Sequence, residues 1–170
     1  METTYTLDGY TLWIGDGDFG ATVSGFTRPG HKRRIEGRRT GGRQAPMGVR
    51  LGFDEPKGTI KVKGVSPALR EAVQSGEIDG VSLFIRAHLD DQQGGYTSFV
   101  EEWQGRCVDP EGFLSEVGDG ETEGELEFWL TYVKTTEGGT VVRENDYFNN
   151  TFYPDETEQS SARQSSLGRN

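Results

Sequence analysis

Short segments in which apolar and polar residues alternate, separated by Gly-rich turns, constrain the fold of this chain more than any other feature. In the clearest segment, Glu125–Lys134, every second residue is apolar: Leu126, Phe128, Leu130 and Tyr132. A period of two places these side chains on one face of a strand, and we expect that face to be buried. The chain is therefore expected to be mostly β. Further strands are predicted at Thr6–Ile14, Ala21–Phe26, Thr59–Val65, Val81–Leu89, Ser98–Val108 and Thr140–Asp146.

One short segment has the features of a helix rather than a strand. Ser66 is a favourable N-cap and Pro67 suits the first helical position. Leu69 and Val73 lie one turn apart and form a narrow apolar stripe, so we predict a helix over about residues 67–75. With seven to nine strands and one short helix, the expected architecture is an antiparallel β-sandwich or a partly open β-barrel.

The length predicts one domain, and the low apolar content suits either a thin fold completed by other copies of itself or a fold with long polar loops. The chain has 170 residues, of which only 32% are apolar, and 25 are glycine. We expect a single β domain over residues 1–154 and a polar C-terminal tail over 155–170, where apolar residues are scarce. The low apolar fraction suits a thin fold that buries further surface by self-association.

Charge is distributed very unevenly along the sequence. Residues 28–53 hold eight of the 18 Lys and Arg residues but a single acid, Glu36, in a chain of net charge −10. Two strand-like arms, 31–37 and 47–53, flank Gly41 and Gly42, which predicts a long β-hairpin over residues 31–53. A basic arm on an acidic body indicates a segment that contacts a partner.

The chemistry of the remaining residues argues against an enzyme. His31 and His88 are the only histidines and have no metal-ligand spacing, so no catalytic residue, metal or cofactor is expected. Cys107 shares a strand face with Phe99 and Trp103, which predicts a buried, inert thiol. The sequence has no apolar run long enough for a membrane-spanning helix, and its N-terminus lacks the features of a signal peptide.

The order of residues within the basic hairpin resembles the major tail tube protein of contractile-tailed phages and R-type pyocins. In that family a strand ending in Leu-Pro precedes a charged strand, an Arg-Gly-Gly tip, Ala-Pro and an apolar-x-apolar-Gly exit. The corresponding residues here are Phe26-Thr27-Arg28-Pro29, Arg33-Arg34-Ile35-Glu36, Arg39-Thr40-Gly41-Gly42, Ala45-Pro46 and Val49-Arg50-Leu51-Gly52.

The resemblance continues in order along nearly the whole chain. Later matches are Trp103-Gln104-Gly105-Arg106, Leu130-Thr131-Tyr132-Val133-Lys134, Asp146-Tyr147-Phe148-Asn149 and the ending Arg163 to Gly168. Two segments depart from the family pattern: Arg43-Gln44 follows the glycine pair where Met is common, and Phe152-Tyr153-Pro154-Asp155 replaces an Asn-Gly-Asp segment. Tails of phages, pyocins and other injection systems all fit the pattern.

The resemblance implies a structural role in a virion tail assembled in the host cytoplasm. Homohexameric rings would stack into a hollow tail tube that passes DNA or an effector, without catalysis or membrane insertion. Tail sheath and baseplate or terminator proteins are the other implied partners. The residues implied to join the rings are Arg33, Arg34, Arg38, Arg39, Gly41, Gly42, Arg43, Ala45 and Pro46. Those implied to line an acidic lumen that repels DNA phosphates are Glu102, Gln104, Glu125 and Glu127.

Two other functions are compatible with parts of the sequence. The basic hairpin could serve a nucleic-acid-binding or assembly protein of another β-sandwich type, because arginines neutralise phosphates. The hairpin lacks the interleaved aromatic residues used for base stacking, however, and the rest of the chain is acidic. A small β-barrel hydrolase is the third possibility, and the missing His, Cys and metal constellations argue against it.

Overall fold

The structure is a computed structural model that describes residues 5–42, 44–64, 66–75, 80–112, 116–117, 122–154 and 165. Its strands are β1 (Thr6–Ile14), β2 (Gly17–Asp18), β3 (Val23–Thr27), β4 (Arg33–Arg38), β5 (Met47–Phe53), β6 (Lys57–Lys63), β7 (Val81–Asp90), β8 (Tyr96–Cys107), β9 (Glu116–Val117), β10 (Thr122–Glu137), β11 (Thr140–Asp146) and β12 (Thr151–Tyr153), and its helix is α1 (Pro67–Ser75). The mostly-β prediction is confirmed. The strands that the sequence did not predict, β2, β9 and β12, have only two or three residues, too few for alternation to be visible.

The long strand β10 joins the two halves of the fold. Its first half pairs with β6, which pairs in turn with β3. Its second half lies between β8 and β11 in the order β12-β11-β10-β8-β7-β1-β2. Every pairing in the described residues is antiparallel, and over this part of the chain the sheet does not close into a barrel. A mostly-β sandwich is therefore the architecture of one subunit.

A register shift in β10 corrects one sequence-based prediction. Leu126 and Leu130 are buried as expected, but the pairing with β8 slips between Leu130 and Tyr132. The extra residue of such a bulge exchanges the faces of the residues that follow. Val133 is therefore buried in place of Tyr132, whose hydroxyl donates a hydrogen bond of 2.7 Å to Glu144 on the outward face.

The core is packed between the inward face of the sheet, β6 and helix α1. Trp103 is fully buried, and Gly58 lies so close to it that an added Cβ would be 2.7 Å from the indole ring. The helix begins as predicted: the Ser66 hydroxyl accepts a hydrogen bond from the backbone N–H of Leu69, and Leu69 and Val73 are buried. No helix in the described residues is long and apolar enough to cross a membrane.

Strands β4 and β5 form a two-stranded sheet of their own, separate from the main sheet. The pairing of β4 with β5 has a register shift between Arg34 and Ile35, and Gly52, which pairs with Arg34, has a φ of +119°. At the tip, Gly42 has a φ of +86°. Both values suit glycine, which has no Cβ to clash. The hairpin over residues 31–53 thus has the two arms that the sequence predicts.

Candidate interaction surfaces

The basic residues of the hairpin are presented to solvent on a narrow ribbon. Arg34, Arg38 and Arg39 are exposed, and the Arg33 guanidinium lies 5.2 Å from the centre of the Phe53 ring. The structure also places Gly41, Gly42, Ala45 and Pro46 at the exposed tip, while Arg43 lies outside the described residues. The predicted contact residues are thus on one protruding element, and their contact with another subunit stays a prediction.

The hairpin also carries an exposed apolar stripe that the sequence-based assignment missed. Met47, Val49 and Leu51 alternate along β5 and are 52%, 36% and 45% exposed. Met47 and Val49 lie two residues apart in the regularly paired part of β5 and share a face, whereas Leu51 is the extra residue of the register shift; the three exposed residues are called here the apolar stripe. The alternation is visible in the sequence, but only the structure shows that nothing in the described subunit covers it.

A cluster of rings fixes the base of the hairpin to the main sheet. The rings of His31 and Phe53 lie 4.1 Å apart, and Phe53 lies 4.4 Å from Phe152 of β12. His31 Nδ1 is also 3.2 Å from the side-chain nitrogen of Asn145, which is buried. These contacts hold both arms of the hairpin where they leave the body. His31 therefore has a packing role here.

A buried carboxylate ties the chain entering the hairpin to the sheet. Glu101 of β8 is fully buried, and its Oε2 accepts a hydrogen bond of 2.6 Å from Arg28 Nε. Its other oxygen lies 3.6 Å from Arg143 of β11, and Arg28 also donates to Thr135 at 3.4 Å. Two cations thus compensate a charge that would be costly to bury unpaired. The sequence does not predict this cluster, because nothing in it distinguishes Glu101 from the adjacent Glu102.

The four candidate lumen residues lie on the outward face of the strands around β10. Glu125 and Gln104 are exposed, and Glu102 and Glu127 are half-buried. Gln104 pairs with Tyr132 and donates a hydrogen bond of 3.0 Å to Glu102. The structure thus brings the four onto one face, whereas the assignment of this face to a lumen stays a prediction.

Lysines balance the acidic charge of this outward face. Lys57 Nζ lies 3.4 Å from Glu127 Oε1. The hydrogen bond of Lys57 with Glu55, and to a lesser extent that with Glu127, raises the pKa of its ammonium group. Three more lysines stand directly opposite glutamates in the strand register. The opposed pairs are Lys61 with Glu125, Lys63 with Glu123, and Lys134 with Glu102. This face of the chain is therefore mixed in charge, and the acidic lumen that the resemblance implies stays a prediction.

The histidines and the cysteine of the described residues have packing contacts or partial burial. No group of three or more His, Cys, Asp or Glu residues among them could hold a metal ion. His88 stacks on Tyr96 with 4.7 Å between ring centres. Cys107 is half-buried, and burial raises the pKa of its thiol to about 11. A thiol with a raised pKa is a poor nucleophile near neutral pH.

Comparison with known proteins connects these surfaces to a family. The chain matches the family described as phage tail tube protein FII over residues 5–168. No curated protein matches the chain. The match spans the hairpin, the sheet and helix α1, and so includes every surface described above.

Removing the buried carboxylate should destabilise the fold. Glu101→Ala leaves Arg143 partly buried without its partner, whereas Arg28 is 46% exposed and can be solvated. We expect the free energy of unfolding to fall by about 2–4 kcal/mol, below the full cost of breaking a buried pair because of this exposure. Urea unfolding followed by circular dichroism measures the change.

The adjacent residue provides the control for that substitution. Glu102 lies on the same strand but faces outward, so Glu102→Ala should cost less than about 1 kcal/mol. Equal losses for the two variants would show that the Arg28–Glu101–Arg143 cluster does not anchor the hairpin.

The thiol of Cys107 should react slowly and with a shifted pH dependence. Because its pKa rises from 9.0 to about 11, the thiolate fraction at pH 8 falls by about a hundredfold relative to an unperturbed cysteine. Iodoacetamide labelling should therefore accelerate up to about pH 11 in the folded protein. Denatured protein is the reference, and a folded rate that levels off near pH 9 would contradict the burial.

Proposed function

We propose, from the premise that this chain belongs to the phage tail tube protein FII family, that it forms homohexameric rings which stack into a hollow tube. The chain is a structural tail tube protein and a component of the virion tail. We further propose that the tube passes DNA or an effector without catalysis. Its other partners would be the tail sheath and the baseplate or terminator proteins, met during assembly in the host cytoplasm.

The observation that carries the proposal is a hairpin that is anchored at its base but uncovered along its length. Arg28 and His31 hold the entry to the ribbon, whereas the apolar stripe remains exposed to solvent. Exposed contiguous apolar surface on a soluble protein marks an interaction site. A ribbon of this kind gains most from docking on another copy, where the apolar stripe is buried and the arginines meet acidic side chains.

The open edges at the two ends of the sheet support the proposal that copies of the chain close into a ring. Strand β2 pairs with only Trp13 and Ile14 of β1, and at the other end of the sheet β12 has just three residues. Unpaired backbone N–H and C=O groups at an edge favour strand addition, and a closed assembly removes the edges. We propose that strands of neighbouring copies complete one barrel around the lumen.

The mixed charge of the outward face suits a passage that does not retain its cargo. Lys57 forms an ion pair with Glu127, and lysines stand opposite Glu102 and Glu125 in the strand register, so the face carries little net positive charge for phosphates to bind. We propose that this face lines the lumen. DNA would then pass through the lumen, because this face attracts phosphates only weakly and its acidic side chains repel them.

Reversing the charge of the hairpin tip should prevent the rings from joining. In Arg38→Glu/Arg39→Glu/Arg43→Glu each arginine that pairs with an acidic partner loses about 1–3 kcal/mol of charge-assisted hydrogen bonding. The exposed positions of Arg38 and Arg39 predict an unchanged thermal melt, because neither packs in the core. Negative-stain microscopy should therefore show folded protein without tubes.

A matched variant tests whether the positive charge of the hairpin tip, rather than a change in its conformation, is what joins the rings. The triple substitution of the same arginines by lysine keeps the positive charge, so tubes should still form, although lysine lacks the bidentate geometry of arginine. Normal tubes from the glutamate variant would refute a role for the tip in joining rings. An unfolded glutamate variant would show that the tip belongs to the core.

DNA binding distinguishes the tube from the alternative function. If the basic hairpin is occupied by protein contacts and the lumen face is charge-balanced, tubes should not retain double-stranded DNA even at low salt, where phosphate binding is strongest. A gel-shift titration over a range of salt concentrations measures this. Sub-micromolar binding that weakens steeply with salt would favour a nucleic-acid-binding protein instead.

A further inference from the structure

The two arginines that share the Glu101 carboxylate belong to different parts of the fold. Glu101, Thr135 and Arg143 stand opposite one another in the register of β8, β10 and β11, so Arg143 is part of the sheet itself. Arg28 lies in residues 28–32, which connect β3 to β4 and belong to neither strand. The sheet therefore supplies one cation, and the entry to the hairpin supplies the other.

Glu101 uses only one of its two oxygens for a hydrogen bond. Its Oε2 accepts from Arg28 Nε at 2.6 Å, whereas its Oε1 has no hydrogen-bond donor within the described part of the chain. Arg143 Nη2 lies 3.6 Å from that oxygen, and Arg143 Nε and Nη2 are buried without an acceptor among the same residues. These two nitrogens form an edge of the guanidinium that suits bidentate binding of a carboxylate. A full pairing of Glu101 with Arg143 is thus prepared but not made.

The distance between Glu101 and Arg143 is small enough for side-chain motion to close it. A hydrogen bond between a guanidinium and a carboxylate spans about 2.7–2.9 Å, so the two groups need to approach by less than about 1 Å. The terminal torsion of a glutamate is broad, which lets the second oxygen turn toward the same edge. This movement breaks one bond to Arg28 and makes two bonds to Arg143. The carboxylate therefore loses no charge-assisted hydrogen bond.

We propose that Arg28, Glu101 and Arg143 form a latch, in which Glu101 passes from Arg28 to Arg143 and releases the entry to the hairpin from the sheet. The structure shows the closed latch. In the open latch the buried carboxylate stays paired, and the fold avoids the large cost of an uncompensated buried charge. The latch is a property of one subunit and is independent of the proposed assembly.

Arg28 is the arginine that can leave the carboxylate. Its side chain is 46% exposed, compared with 22% for Arg143, so water can replace Glu101 as its partner. Arg28 also donates to Thr135 at 3.4 Å and lies 5.0 Å from the centre of the Phe99 ring. The bond to Thr135 is longer than the usual range for hydrogen bonds, and the ring contact leaves the guanidinium free to turn. The short bond to Glu101 is therefore the contact that fixes Arg28.

An open latch would let the hairpin turn about its base without detaching from the body. The rings of Phe53, at the end of β5, and Phe152 of β12 lie 4.4 Å apart and still hold the other arm. Arg28 is thus a positioning residue that sets the direction of the hairpin, whereas Arg143 keeps the body of the subunit folded. A hairpin with this latch has a defined direction in the free subunit and can still adjust its angle.

A double-mutant cycle in urea unfolding tests the exchange of partners. Arg28→Ala and Arg143→Ala should each raise the unfolding equilibrium constant by less than about tenfold, because the remaining arginine pairs with Glu101. The double substitution leaves the carboxylate without a cation, so its effect should exceed the product of the single effects by at least about tenfold. In a Glu101→Gln background this excess should vanish. Single effects that account for the whole of the double effect would overturn the proposal.

The direction of the hairpin is the second readout, because stability alone does not report it. In a Cys107→Ala background, spin labels at Ile35→Cys and Val108→Cys report the distance between the hairpin and the body. Both positions are exposed, at 63% and 54%. Double electron–electron resonance on dilute protein should give a broader distance distribution for Arg28→Ala and an unchanged distribution for Arg143→Ala.

A conservative variant completes this measurement. Arg28→Lys should restore the narrow distribution, because a lysine ammonium can donate the one hydrogen bond that Glu101 Oε2 accepts here. An unchanged distribution in Arg28→Ala, or equal broadening in Arg28→Ala and Arg143→Ala, would refute the latch. The single substitutions suffice for this readout, so it decides the proposal even where the double variant does not fold.

Discussion

The buried carboxylate of Glu101 is the interaction on which the arrangement of the subunit depends. It holds Arg28 at the point where the chain leaves the sheet, and Arg143 from β11 compensates its remaining charge. Together with the contacts of His31 with Asn145 and of Phe53 with Phe152, it fixes the base of a hairpin whose two strands pair only with each other in the described residues. A ribbon fixed in direction before assembly loses less entropy on docking than a free loop does.

The same subunit is incomplete in two further respects. Its sheet ends at strands with unpaired edges, and both the hairpin and the turn at Phe148 display apolar side chains to solvent. Each feature would be a liability in a monomer, since open edges and apolar patches promote non-specific association. In a closed and stacked assembly, each would be covered by another copy. The proposed assembly would account for the low apolar content of the chain, because part of the apolar surface would then be buried between copies.

Much of the fold could be predicted from the sequence because the alternation in β10 and β7 is strong and the cap at Ser66 is specific. The bulge that buries Val133 in place of Tyr132 could not be predicted, since a register shift depends on the neighbouring strand. The pairing of Glu101 could not be predicted either, because only the folded structure distinguishes the buried Glu101 from the outward-facing Glu102. The basic hairpin was predicted as a contact element from its charge. Its apolar stripe was missed because exposure is a property of the folded chain.

Electron cryomicroscopy of the purified protein over a range of concentration and salt would show whether copies of the chain assemble through the anchored hairpin. We expect rings or stacked tubes with sixfold symmetry, in which residues 33–53 lie against a neighbouring copy and the face bearing Glu102 and Glu127 surrounds a channel. A monodisperse monomer under every condition would contradict it. So would an assembly in which the hairpins project freely into solvent.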